Sequence, residues 1–304
     1  MSTHFHVPHG VRIASDLHLT DVPTGAADDE PQVSIRIAKV PHRLANAIDG
    51  LRYSQTDGEQ WLFSAPGVAR YLVTGGKEIS VEAESDASEE SVMAFLLGTT
   101  WAACCHQRGL LIMHASVASI EERCVAFVGV SGAGKSTLAA LLAARGHRIA
   151  SDDTCVLTLD ADGAVRVHPS YPRVKLWSDG LSLLPTESAW AKAAMQPGKF
   201  KVSMESHWLS ESLRLHHVLE LADDRDGAAS GFQRLSGLQA TLAVTTNTFR
   251  PRLVQLLGRQ RENFAMSAAV AKAISVHRWC RPWGRGRQLE MIEMLERWMA
   301  HPQL

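Results

Sequence analysis

The octet "GVSGAGKS", Gly129 to Ser136, fits the pattern G-x-x-x-x-G-K-[ST]. Each fixed position has a chemical use. Gly129, Gly132 and Gly134, with Ser131 and Ala133 between them, let the backbone wrap an oxyanion and turn its N–H groups inward. Lys135 supplies a cation for β- and γ-phosphates, the Ser136 hydroxyl can ligate Mg²⁺, and Thr137 supports the helix start. This is a loop for a nucleoside triphosphate, ATP being the expected one. Two adjacent carboxylates follow, Asp152 and Asp153, the first 17 residues after Lys135. Side by side they repel each other, so a purely structural strand gains nothing from them. One would hold Mg²⁺ together with Ser136. The other, facing away if strand alternation continues, would orient or deprotonate an acceptor hydroxyl. The spacing leaves open which does which.

These groups need elements to hold them. The apolar run "CVAFVGV" predicts a strand leading into the loop. "KSTLAALLAARG" (135–146) predicts a helix closed by Gly146 as a C′ glycine. "HRIASDD" predicts the next strand, whose C-terminal end would face the ligand crevice of an α/β sheet. Upstream, "RGLLIMHASVASIEERCVAFVGV" reads as two strands joined at "IEER". "SDASEES" reads as a helix start with Asp86 as N-cap and Glu89 as its capping-box partner, running to about Gln107. Downstream, "RLHHVLEL" and "ATLAVTT" read as strands, and "RPRLVQLLGRQ", "MSAAVAKAIS" and "LEMIEMLERWMAH" as helices. The order predicts an α/β domain with a parallel component. The first 84 residues instead show short alternating strands: "GVRIASDL", "QVSIRIAKV", "QWLFSA" and "ARYLVTGGKEISVEA", with a tight hairpin at "TGG" (74–76). They predict a small antiparallel module. The expected organisation is 1–85 β-rich and 86–304 phosphate-loop domain.

Composition narrows the class. The 304 residues are 45% apolar and 21% charged, with a formal net charge of -1. No overall field draws such a chain to nucleic acid or to a membrane. The longest apolar patch, "VMAFLLGTTWAACC" (92–105), is too short and polar to span a bilayer. "MSTHFHVPHG" lacks a signal-peptide pattern, so the expected place is the cytoplasm. The five cysteines show no paired spacing and read as small hydrophobes. His4, His6 and His9 could suggest a metal site but read as polar residues of an edge strand or a ragged terminus.

A phosphate loop names the ligand class, not the reaction. A guanine-reading N-K-x-D is missing, since "TTNT" (245–248) lacks both Lys and Asp. "LSGLQ" (235–239) is similar to the signature of transporter-type ATPases, but "ATLAVTTNTF" follows without the acidic strand end such enzymes need. It reads as a helix-capping turn.

The block "HASVASIEERCVAFVGVSGAGKSTLAALLAARGHRIASDD" resembles the catalytic core of the HPr kinase/phosphorylase family. Three features carry the resemblance: His114, 21 residues before Lys135 and opening the strand pair; the glycine-rich loop; and R-G-H-R followed by D-D. It implies an α/β, P-loop, HPr-kinase/PEP-carboxykinase-like core that moves phosphate from ATP to a serine hydroxyl with Mg²⁺. It assigns His114, Lys135, Asp152 and Asp153 to the catalytic centre and suggests a homo-oligomer. By position alone His114 reads as a satisfied strand histidine. The family's L-E-x-R-G-L-G segment is not found in this sequence. The full layout is similar to stand-alone HPr-kinase-like proteins encoded beside ribosomally made peptides, lasso peptides among them. "FLLGTTWAACCHQRGLLIMHAS" and "TFRPRLVQLLGR…VHRWCRPWG" carry that second likeness. It implies a peptide or small-protein substrate with an acceptor serine. A kinase for a small metabolite such as free serine, and a nucleotide-binding regulatory module, are the alternatives.

Further cations bear on the same site. Lys199 and Lys201, and Arg173 with Lys175 on one strand face, either reach phosphate or form a solvated face. Arg250 and Arg252 flank a proline at a helix start. "HRWCRPWGRGR" (277–287) either grips a peptide or is a loop with buried tryptophans.

Overall fold

The computed structural model describes residues 3–27, 30–50, 53–184, 192–196, 198–224, 230–282 and 286–301. Trp283, Gly284 and Arg285, which fall in the basic stretch 277–287, lie outside the described residues. The fold is mixed α/β with several sheets. By internal contacts the chain forms two compact units. One comprises Met1–Ile112 with Thr248–Met266, the other Met113–Asn247 with Ser267–Leu304.

The first unit is built on eight strands in the order His4–His6, Ile13–Ser15, Val33–Ile37, Glu78–Ala83, Ala69–Thr74, Gln60–Ala65, Ser54–Thr56 and Ile48–Asp49. Ala69–Thr74 alternates buried and half-buried residues, as its sequence predicts. Gly75 and Gly76 both take positive φ, and Lys77 N–H donates to Thr74 O at 3.0 Å, which closes the expected tight hairpin. The sheet is not purely antiparallel. Val33–Ile37 runs parallel both to Ile13–Ser15 and to Glu78–Ala83. Alternation is the same in both strand directions, so the sequence could not distinguish them. The helix cap also differs from expectation. Ser88, not Asp86, caps the helix Glu89–Phe95 and accepts the Ser91 N–H. Asp86 is used in a turn closed by Ala87 N–H to Glu84 O. The helical run continues to Gln107 through a π-turn at Leu96–Thr100.

The unit limits differ from the expected boundary near residue 85. The helical run 89–107 is tied to the eight-stranded sheet: Tyr71 Oη donates to Val92 O, and Trp101 Nε1 donates to His9 Nδ1. Phe63 and Phe95 rings stand 5.7 Å apart. Residues 248–266 join the same unit through Phe249 N–H to Ile112 O and the His106 ring to Phe249 O.

In the second unit, Ser116–Ile120 and Arg123–Val128 form a hairpin across Glu121 and Glu122, both at positive φ. Arg123–Val128 then pairs in parallel with Leu213–Asp224, and Leu213–Asp224 in parallel with Ser275–Pro282. Arg148–Ser151 joins the far side of Ser116–Ile120, antiparallel to it. The expected parallel component is present, although the strand after the loop helix is separated from the strand before it. A second, three-stranded sheet holds Arg173–Trp177, Lys199–Ser203 and Lys192–Gln196. Phe127, Leu138, Leu142, Ile149, Trp279 and Leu295 form the centre of this unit's core. Burying each such side chain contributes about 1.5–3 kcal/mol. The helix Lys135–Ala144 ends as predicted: Gly146 N–H reaches Ala143 O, and His147 N–H reaches Leu142 O.

"ATLAVTT" is helical, within Gly237–Thr246, not a strand. Its β-branched residues suggest a strand, but Thr241, Thr245 and Thr246 each return their hydroxyl to the carbonyl four residues back. Ala240, Ala243 and Val244 supply the buried stripe. Ser236 is the N-cap, so "LSGLQ" does open a helix.

The cysteines Cys104, Cys105, Cys124 and Cys155 are buried, and burial pushes the thiols of Cys104 and Cys124 up to about 12. No described helix is long and apolar enough to cross a membrane.

Candidate functional site

The strand Arg123–Val128 delivers the glycine-rich loop, and the helix Lys135–Ala144 takes it away. Gly129, Gly132 and Gly134 have φ of 144°, 85° and 79°, conformations that side chains rarely adopt. At Gly129 a Cβ would also stand 3.2 Å from Leu221 O on the neighbouring strand. Ser131 and Gly132 are exposed at the loop tip, while Ala133 is buried beneath it. Lys135 is buried, and its Nζ donates to Gly129 O at 2.8 Å and Val130 O at 3.2 Å. Burial pushes its ammonium below the ordinary lysine range and Arg281 adds to this, against the attraction of Asp152 and Asp153. Thr137 packs under Gly180, where an added Cβ would meet its Oγ1 at 2.8 Å.

The two aspartates lie just past the strand Arg148–Ser151, not within it. Thr154 N–H bonds back to Asp152 O at 2.9 Å, and Asp153 stands at φ 70°. This three-residue turn is a strained conformation, costing on the order of 1–3 kcal/mol. The turn, rather than strand alternation, separates the two carboxylates. Asp152 goes inward. Its Oδ1 accepts Ser116 Oγ at 2.6 Å, its Oδ2 accepts Lys175 N–H at 2.9 Å, and the Ser136 hydroxyl also bonds to it. Burial raises its carboxyl above the usual range and the Asp153 charge adds to the rise, against these three hydrogen bonds. Asp153 goes to the cations. Lys175 Nζ reaches its Oδ2 at 2.7 Å, and His114 Nδ1 lies 2.9 Å from its carbonyl oxygen and 3.4 Å from Oδ1. Burial favours the neutral acid, but Lys175, His114 and Lys199 outweigh it, and the net shift is downward.

His114, Lys135, Ser136, Asp152 and Asp153 therefore meet in one unit. Lys175 is drawn in as a bridge: its backbone holds one aspartate and its ammonium the other. Lys199 lies 5.4 Å over the Trp177 ring, and Lys201 sits opposite Lys175 in strand register. Arg173 stacks over Tyr171. Arg250 and Arg252 belong to the other unit, where they line a cavity of about 980 Å³ with Trp61, Phe63 and Phe95.

Two residues escaped the sequence reading. Arg281 is buried and donates to Ala133 O from the end of Ser275–Pro282, so the basic stretch 277–287 reaches the loop itself. Asn247 accepts Gly129 N–H at 2.8 Å through its side chain and His114 N–H through its carbonyl. It sits in "TTNT", noticed only for what that motif lacked. Nothing in its local sequence, read as following a strand, signalled this role. Among the described residues no group of three or more His, Cys, Asp or Glu is arranged to hold a metal.

No protein-family model matches the chain, and no curated protein matches it. Among solved structures, the HPr(Ser) kinase/phosphatase from Coxiella burnetii matches at 15% identity, covering 63% of this chain and 90% of that one, with a TM-score of 0.35. A likeness of this degree carries no function to this chain.

Proposed function

We propose that the chain is an ATP- and Mg²⁺-dependent kinase that transfers the γ-phosphate to a serine hydroxyl of a peptide or small protein. The observation that carries this reading is the divided aspartate pair beside a glycine-rich loop. One carboxylate is buried against a loop serine; the other is held charged and half-exposed between Lys175 and His114. Such a split serves a metal on one side and an acceptor on the other. The donor set fits Mg²⁺, which takes one or two protein oxygens and completes its shell with phosphate and water. Asp152 and Ser136 would supply those oxygens. The ion would neutralise charge on the phosphates.

The remaining roles belong to the chain. Loop N–H groups and Lys135 bind and orient the phosphates, and Arg281 braces the loop through Ala133 O. Asp153 accepts the hydrogen bond of the serine hydroxyl. The serine oxygen bonds to the γ-phosphorus, the bond to the bridging oxygen breaks, and the proton passes to the Asp153 carboxylate. Its lowered pKa makes it a weak base, so the proton moves late, after the phosphoryl group has loosened. His114 positions Asp153 through its carbonyl. Tailoring of a ribosomally made, lasso-type peptide is the substrate setting that the sequence layout favours. The cytoplasm is the expected place of action.

Purified chain, ATP and Mg²⁺ are incubated with serine peptides, and phosphopeptide is followed by mass spectrometry. Asp153→Asn is expected to keep nucleotide binding and lose transfer about 10²–10⁴-fold. Full transfer by Asp153→Asn overturns the reading. Transfer to free serine but to no peptide moves the substrate to the metabolite class, and nucleotide binding without any transfer supports a regulatory module.

A further inference from the structure

The parallel strands that end at the glycine-rich loop begin at a second polar site. Arg123 opens the strand before the loop, and Arg214, His216 and His217 lie near the start of Leu213–Asp224. Lys272 closes a helix just before Ser275–Pro282, and Arg234 sits opposite His277 on the outer strand. Together they line a pocket of about 460 Å³ that includes no Asp or Glu. None of Arg123, Arg214, Arg234 and Lys272 pairs with a described carboxylate. His216 Nδ1 accepts Cys124 N–H at 3.1 Å, which fixes its ring. His217 is 7% exposed and its Nδ1 has no hydrogen-bond partner among the described residues. Four cations with no carboxylate partner among the described residues also repel one another, and a bound anion would relieve that repulsion.

We infer that this pocket is a second anion site, built for a small, multiply charged ligand of the phosphate class. It is distinct from the loop: five residues of strand, about 17 Å at the usual rise, separate Arg123 from Val128. The arginines offer forked donors that match phosphate oxygens, and Lys272 adds a point charge.

The test is calorimetric titration of the full chain with inorganic pyrophosphate at 0.15 M salt. Lys135→Ala removes binding at the loop, so titrations in that background read the second site alone. One pyrophosphate per chain is expected to remain. Adding Arg214→Ala and Arg234→Ala should weaken it at least about 10-fold, and Arg234→Lys, which keeps the charge but not the fork, should restore only part of it. Both arginines are exposed, so the substitutions leave the fold intact, as circular dichroism would check. Lys272→Ala, also exposed, gives an independent third variant expected to weaken binding. No binding to the Lys135→Ala chain, or binding that the arginine variants leave unchanged, overturns the inference. Pyrophosphate binding that Lys135→Ala does not reduce while the arginine variants abolish it supports this pocket and counts against the loop instead.

Discussion

The two ends of the same parallel strands treat charge in opposite ways. At the loop end three cations each hold an acceptor: Lys135 holds Gly129 O and Val130 O, Lys175 holds Asp153, and Arg281 holds Ala133 O. At the other end Arg123, Arg214, Arg234 and Lys272 gather without a lining carboxylate. A site that makes and breaks bonds needs its groups fixed in defined protonation states, and paired charges achieve that. A site that only binds can leave its charge uncompensated until the ligand arrives. The difference teaches that a cluster of cations is read by its partners, not by its number.

The comparison can be broken most strongly at the loop end. The loss of transfer in Asp153→Asn, about 10²–10⁴-fold, is the largest expected effect. Lys175→Met sharpens it. Without the ammonium, burial dominates and the Asp153 carboxyl rises, so the acid limb of the transfer rate moves to higher pH; an unmoved limb removes Asp153 as the base.

The opposite end is tested through His217. Its pKa is lowered to about 4, first by burial and then by His277, His216, Arg123 and Arg234. The unfolded chain therefore binds a proton that the folded chain refuses between pH 6.5 and 4, so stability falls as pH falls through that window. The cost is roughly 3 kcal/mol when complete. His217→Asn should flatten that part of the melting-temperature profile between pH 6.5 and 4; an unchanged profile assigns the acid sensitivity elsewhere. A smaller effect is expected at the bracket between helix and loop. Asn247→Ala leaves the Gly129 N–H without its acceptor and should cost about 1–3 kcal/mol in chemical denaturation. A null result would mean that the loop keeps its shape without Asn247.

Much of the loop end was legible in the sequence because its signals are local. The glycine spacing, the helix with its Gly146 ending, and the aspartates following a strand are set within a few residues of one another. His114 needed the resemblance, since nothing near it in sequence announces Asp153 as its partner. Lys175 was noticed, but its bridge to both aspartates depends on a separate sheet being folded against the loop. Asn247 and Arg281 arrive from about a hundred residues or more downstream, and only tertiary structure brings them in. The same limit explains Val33–Ile37, whose parallel pairing is not written in its alternation. It also explains "ATLAVTT", where burial of Ala240, Ala243 and Val244 along one helix face overrides strand propensity. The cationic pocket was invisible for a related reason. Its residues come from four separate places between 123 and 275 and converge because three strands start side by side.

The Lys135 ammonium bonds two carbonyls of its own loop, and that sets an admission threshold. Any ligand that recruits this cation has to outbid two neutral oxygens. Hydrogen bonds with a charged partner contribute about 1.5–3 kcal/mol against about 0.5–1.5 kcal/mol for neutral pairs. If the loop binds phosphates as proposed, this cation favours an anionic oxygen over a neutral one.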